Sequence, residues 1–230
     1  SLLQEYQVST VELGVQSLND QVLASAKRGH SRADVERAVP VLRRAGMEIG
    51  LQLMVGLPGD TRTTLRRTVE QVIALRPDFV RIYPLLVVQH SELAEQYRQG
   101  EYTPFSLDKA VILTAWMRQR FERAGIRVVR MGLQAGPELE SSLLAGPWHP
   151  AFGELAASRL MLRQTRKLLS QASSEGMVHV RINERDQSVF RGMQSANVKR
   201  LQQLGLWQRI ILNTDSVLPR GTVSYRCQGK

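Results

Sequence analysis

Val11-Glu12-Leu13-Gly14-Val15-Gln16-Ser17, Lys27-Arg28-Gly29-His30 and Gly56-Leu57-Pro58-Gly59 each mark a point where an apolar run gives way to a helical pattern. A chain that repeats this handover builds βα units, and right-handed crossovers lay their strands parallel. In parallel α/β folds, ligands gather where strands end and helices begin, because backbone donors are free there. Polar and glycine-rich marks along one rim therefore imply a site for an anionic or nucleotide-like small molecule.

The alternation runs from the start to about residue 133. Val11–Ser17 reads as a strand, and Asn19-Asp20 caps a helix to about Lys27. Ser31 opens a second helix with Val35, Ala38, Val39, Leu42 and Ala45 at helical spacing. Pro40 inside it predicts a kink or an early break, and Gly46 its end. Met47–Val55 is a strand interrupted by Glu48 and Gln52, an apolar run of the sort covered on both faces. A helix from Thr61 to Leu75, a strand Phe79–Val88, helices Ser91–Gln99 and Ser106–Ala124, and a strand Ile126–Leu133 follow. The expectation is an α/β fold, a partial (β/α) barrel of parallel strands over residues 1–133.

Beyond residue 134 the pattern changes. Gly136-Pro137 and Gly146-Pro147 bracket a short segment, a helix runs from about Ala151 to Gln171, and Ser173-Ser174-Glu175-Gly176 breaks it. Strand Met177–Ile182, a polar loop Asn183–Gly192, a helix Ser195–Leu204, strand Arg209–Asn213 and a terminal strand Thr222–Arg226 complete the chain. Residues 134–230 read as a helical linker and a small α/β appendage.

Composition narrows the function classes. With 43% hydrophobic and 23% charged residues in 230, the chain is globular and large enough for a sizeable core. No apolar run approaches the ~18 residues of a membrane span, so no membrane partner is expected. The chain opens Ser1-Leu2-Leu3-Gln4-Glu5, already helix-like and without a basic-then-apolar leader, and it lacks an initial Met, as a piece of a longer protein would. One cysteine, Cys227, excludes an internal disulfide framework and points to a reducing cytoplasm. The net charge of +10 raises the prospect of a nucleic-acid or phosphate-bearing partner, although helix exteriors account for much of it.

Glu12–Ser17, Arg28-Gly29-His30 and Leu53-Met54-Val55-Gly56-Leu57-Pro58-Gly59, in that order, resemble the later half of a radical S-adenosylmethionine (SAM) enzyme. Arg81-Ile82-Tyr83-Pro84-Leu85 and Gly100-Glu101-Tyr102 resemble the branch that contains the elongator catalytic subunit. The resemblance covers roughly residues 8–133. It implies SAM and a [4Fe-4S] cluster as cofactors, yet the family's Cys-x-x-x-Cys-x-x-Cys loop is absent, and Cys227 alone cannot hold such a cluster. The amino-terminal half of the barrel is then expected to lie elsewhere, and this chain alone to be inactive.

The resemblance also assigns candidate cofactor-binding residues. Gln16 takes the strand-end position that meets the SAM ribose, where a carboxamide both donates and accepts. Its alternative is to satisfy a loop backbone, and Ser17 beside it either joins the site or caps the next helix. Arg28 is the candidate for the methionine carboxylate, which a guanidinium grips with two parallel bonds; the alternative is a cation opposing a helix dipole. Gln52, an amide among apolar neighbours, faces ribose or methionine or else pairs internally. Gly56, Leu57, Pro58 and Gly59 form a stiff turn open to adenine, with Gly56 and Gly59 free to adopt positive φ. Tyr83 and Pro84 supply an apolar wall, or Tyr83 is an ordinary rim aromatic. No catalytic residue and no metal ligand is assigned. His30 and His149 read as turn or capping residues, and Asn183-Glu184-Arg185-Asp186 with Arg191-Gly192 as an internal ion-pair network or else a substrate or RNA contact in the appendage. Gln203-Leu204-Gly205-Leu206 lacks the glycine pair of an acyl-CoA pyrophosphate loop.

The resulting expectation is the carboxy-terminal portion of a radical SAM enzyme that binds SAM and, with its cluster-bearing half, forms a 5′-deoxyadenosyl radical to modify tRNA or another RNA. The alternatives are a cluster-free α/β RNA-binding module and a coproporphyrinogen-oxidase-like radical SAM enzyme. The sequence leaves the oligomeric state open.

Overall fold

Side-chain caps begin five of the helices that follow rim loops. In a computed structural model that describes residues 2–172 and 176–227, Asn19 accepts from the Val22 amide, Ser31 and Asp34 form a reciprocal box, and Thr61 and Thr64 form another. Ser91 and Ser106 accept from Ala94 and Lys109. Such caps satisfy amides that the first turn leaves free, so they fix where each helix departs from the rim.

The chain divides into two compact units, Ser1–Phe152 and Gly153–Lys230. The first contains α1 (Leu2–Glu5), β1 (Thr10–Gln16), α2 (Asp20–Ser25), α3 (Arg32–Arg44), β2 (Glu48–Val55) and α4 (Arg62–Leu75). It continues with β3 (Phe79–Pro84), β4 (Val87–Val88), α5 (Glu92–Arg98), α6 (Leu107–Arg123), β5 (Arg127–Met131), α7 (Pro137–Ser142) and β6 (Leu143–Ala145). Strands β1, β2, β3 and β5 pair in that order, all parallel. Because the order follows the chain without reversal, this is a segment of a singly wound (β/α) barrel and not a sheet with a topological switch point.

The two faces of the sheet differ. Ile49, Leu51, Leu53, Val55, Val80 and Ile82 are buried in one core with Val69, Met117 and Phe121 of the covering helices. By alternation, the other face carries Glu12, Gly14, Gln52, Met54, Phe79, Arg81 and Tyr83. The apolar run of β2 is thus covered by helices on one face, while its even-numbered positions join a polar row on the other. At one point that row is closed by an aromatic ring: Phe79 lies across Gly50, where an added Cβ would meet the ring at 2.3 Å.

Three expectations are corrected here. Helix α3 runs through Pro40 without an early break; Pro40 and Glu36, whose carbonyl loses its partner, are both exposed and meet solvent. The strand expected over 79–88 stops at Pro84, and Val87–Val88 turns away to pair antiparallel with β6. In the second unit, the expected polar loop 183–192 contains a 3₁₀ turn, Glu184–Asp186, and helix α9 (Gln187–Arg191). Phe190 drives that folding, being buried in the unit's core.

The second unit contains most of α8 (Phe152–Gln171), then β7 (Val178–Ile182), α9, α10 (Ala196–Gln203), β8 (Ile210–Thr214) and β9 (Val223–Cys227). Its sheet is ordered β8-β7-β9, with β8 parallel and β9 antiparallel to β7. The break expected at 173–176 falls largely outside the described residues. Asp186 pairs with Arg220 and accepts from the Gly221 amide at 2.6 Å, and Arg181 pairs with Asp215. The charges around 183–192 are therefore used in part to close the chain's last turn.

Candidate cofactor-binding rim

Strand β1 ends in a bulge. Its register with β2 shifts between Leu13 and Gln16, Gln16 takes a left-handed φ of +62°, and the Ser17 amide closes a tight turn on Val15 O at 2.7 Å. His30 Nε2 bonds the same Val15 carbonyl at 3.1 Å, so its role is to hold the bulge. Bulges re-aim side chains at strand ends. Here the re-aimed side chain is Gln16, which is only 3% exposed. An added Cβ on Gly14 would lie 3.0 Å from Gln16 Nε2, so glycine is what admits the amide against the sheet.

Across the strands, Gln52 Nε2 donates to Gln16 Oε1 at 3.4 Å. That long bond uses one atom of each amide. Among the described residues Gln16 Nε2 keeps a donor and Gln52 Oε1 an acceptor without a further bond. Such a pair matches a vicinal diol, each hydroxyl of which can give and take a proton. The residues present therefore fit a ribose.

Ser17 turns the other way. It is buried, its hydroxyl lies 3.3 Å from Thr68 Oγ1, and it accepts from the Asn19 amide at 3.2 Å. With Leu18 N donating to the same Thr68 oxygen at 3.2 Å, it fastens β1 to α4.

The Gly56–Gly59 turn, at φ +96° and +81° for its two glycines, is held by Asp60. The Asp60 carboxylate accepts from the Gly56 and Leu57 amides at 3.0 and 3.1 Å and from the Thr64 hydroxyl at 3.1 Å. Burial pushes its pKa up from 3.8 to about 6, against the pull of those bonds and of nearby Lys109. Tyr102 donates its hydroxyl to Gly56 O at 2.7 Å, and burial next to Asp60 pushes that phenol well above its ordinary value. Neither role was legible beforehand. An Asp closing a glycine-rich turn is a recognised local signal, whereas nothing near Tyr102 points to a partner 46 residues away.

A cleft of about 180 Å³ opens over this turn, lined among others by Arg28, Met54, Leu57, Pro58, Leu85 and Glu92. Arg28 is exposed there and has no ion-pair partner among the described residues, while its neighbour Lys27 pairs with Glu92. Met54 connects the cleft to the amide pair, since it follows Gln52 by two residues on the same face of β2. Tyr83 stands beside Met54 in register, half-buried. Its hydroxyl and then Glu12 hold Arg81 more firmly protonated, with Glu12 at 3.2 Å from Arg81 Nε. Pro84 is buried and ends the strand. Thus Arg28, Leu57 and Pro58 share one cleft, Gln16 and Gln52 form one pair, and Gly56 and Gly59 shape the turn beneath.

An iron–sulfur cluster finds no such fit. The chain has one cysteine, and among the described residues no three His, Cys, Asp or Glu side chains are placed to hold a metal ion. Also among the described residues, no helix is long and apolar enough to cross a membrane.

Two family models match in sequence order: the radical SAM superfamily over residues 1–72 and the radical SAM C-terminal domain over residues 77–162. The chain belongs to the radical SAM superfamily. Within that superfamily it is similar to the elongator-like branch. A tRNA uridine(34) acetyltransferase from Methanocaldococcus infernus is 34% identical over 119 residues, covering 47% of this chain and 22% of the relative. Elongator complex protein 3 from Danio rerio is 32% identical, covering 48% of this chain and 21% of its own length. Among solved structures, the archaeal M. infernus Elp3 with an N-terminal deletion superposes with a TM-score of 0.61 at 25% identity, over 70% of this chain and 38% of that one. The chain spans about a fifth of the length of these two curated relatives.

Proposed function

We propose that residues 1–133 are the carboxy-terminal portion of a radical SAM barrel, that their rim binds SAM, and that the whole enzyme modifies tRNA or another RNA. The observation that carries this reading is the Gln16–Gln52 pair, set by a strand-end bulge on the polar face of a barrel segment. In this reading the free Nε2 and Oε1 of the two amides take the ribose hydroxyls. Arg28 takes the methionine carboxylate at the mouth of the cleft, a bidentate task suited to its guanidinium. Leu57, Pro58 and Tyr83 with Pro84 wall the adenine, and the Gly56–Gly59 turn lets backbone come close to it.

Bound SAM supplies the superfamily's radical chemistry only with a reduced cluster, for which this chain holds no ligand set. Its own residues bind and orient the cofactor and shape the cavity, and the chain by itself is expected to be inactive. RNA as the substrate class rests on the printed activity of the acetyltransferase relatives and on the net charge of +10.

Photolabelling with an azido-adenine analogue of SAM, followed by peptide mapping, tests the reading. Label is expected on peptides containing residues 54–58 and 83–85 and is expected to be suppressed by excess SAM. Label confined to other segments, or insensitive to SAM, rejects the rim as the binding site.

A further inference from the structure

The charge of this protein is unevenly placed. Residues 153–230 hold 13 Lys and Arg against 5 Asp and Glu, a net of +8, whereas residues 1–152 net only +2. Within the second unit, Arg159, Arg163, Arg166 and Lys167 are all exposed and fall one helical turn apart on a single face of α8. No acid stands three or four residues from any of them. In the first unit, by contrast, Arg32, Arg66 and Arg118 each meet a glutamate four residues on. Stacking like charges one turn apart destabilises a helix, so a merely solvated face would mix the signs, as those three pairs do.

The same face borders a groove of about 650 Å³. Arg163, Arg166 and Lys167 line one side, and Leu204, Leu206 and Arg209, from the end of α10 and the turn before β8, line the other. Among the described residues no acidic side chain lines it, and Leu169 and Ala172 add apolar lining. A cationic groove with apolar patches suits a strand whose phosphates repeat along one edge and whose sugars and bases are partly apolar.

We propose that this groove of the carboxy-terminal unit binds the phosphate backbone of an RNA strand, with Arg163, Arg166 and Lys167 as the phosphate contacts. The choice of RNA over an acidic protein rests on the substrate class proposed above, while the groove itself lies in a part of the chain distinct from the rim. It gives the second unit the task of gripping the polymer, separate from cofactor binding.

The test is fluorescence anisotropy of a labelled single-stranded oligouridine with the full chain across a salt series. Each phosphate contact on a single strand contributes a slope of about 0.7 log units per log salt. The variant R163E/R166E/K167E is expected to lose binding at low salt, and the neutral R163Q/R166Q/K167Q to show a slope shallower by about 2, so that a tenfold rise in salt weakens it about 100-fold less than the parent. R44E/R67E/R120E removes as many exposed charges from the first unit and should keep the parent's slope, with circular dichroism confirming that all three variants fold. Equal binding by the parent and the glutamine variant would overturn the proposal, as would a polyglutamate of matched charge binding as tightly as the RNA. SAM titrations on the same samples separate the two readings: RNA binding that needs the groove, in a chain that fails to bind SAM, upholds the groove and counts against the rim.

Discussion

Tyr102 donates its hydroxyl to the carbonyl of Gly56 at 2.7 Å, joining the loop before α6 to the first residue after β2. Gly56 needs that fixing. Its φ is +96°, its amide is held by Asp60, and a Cβ there would lie 3.3 Å from the Phe105 ring. The turn is thus set from three directions before any cofactor arrives, and the Gly-Glu-Tyr stretch at 100–102 gains a physical role in the rim.

Tyr102→Phe removes this bond and leaves the Gly56 carbonyl buried without its partner. Loss of one buried partner costs about 1 to 3 kcal/mol. Urea denaturation should show a lower midpoint with an unchanged slope, and SAM affinity should fall because the turn is less ordered. A variant as stable as the parent would show that the bond contributes nothing to the turn.

Asp60 sets a pH dependence whose sign can be worked out. Its carboxyl titrates at about 6 in the fold against 3.8 ordinarily, so the folded chain binds the proton more tightly than the unfolded chain. Its contribution is complete below about pH 4 and is lost as pH rises through 6, on the order of 2 to 3 kcal/mol in all. Asp60→Asn keeps an oxygen for the Gly56 and Leu57 amides and removes the buried charge. Thermal melts of this variant should lack the decline between pH 4 and 7 that the parent shows relative to it.

Gly50 and Gly56 should respond differently to alanine. At Gly50 the new Cβ would sit 2.3 Å from the Phe79 ring, which must leave its place on the polar face. The cost is that of an overpacked core, about 1 to 3 kcal/mol, and Phe79→Leu in the same chain should recover part of it. At Gly56 the penalty is chiefly backbone, because φ is +96°, and no change at Phe105 should restore it. Denaturation of the two pairs of variants distinguishes these causes.

Much of the architecture was legible because local chemistry and tertiary structure agree. Asn19, Ser31, Thr61, Ser91 and Ser106 precede apolar-periodic segments, and all five cap helices in the fold. Gln52 stood out as an amide in an apolar run and does lie on the polar face. Ser17 shows why adjacency misleads: one residue beyond Gln16, past a left-handed turn, its hydroxyl faces Thr68. Of the kink or early break expected at Pro40, the break does not occur, because the orphaned Glu36 carbonyl meets water, which sequence does not state. The burial of Phe190 and the bond from Tyr102 to Gly56 are not readable for one reason, that their partners are distant in the chain.

The most direct test of the central claim is calorimetric titration of SAM into the chain and into Gln16→Ala, Gln52→Ala and Arg28→Ala. Each variant removes a bond that the proposed pose uses, so each should weaken binding by about tenfold, equivalent to roughly 1.4 kcal/mol. The first two should be non-additive in the double variant, because the amides are hydrogen-bonded to each other. Undiminished affinity in all three would contradict the account, because the residues it places around the cofactor would then not touch it.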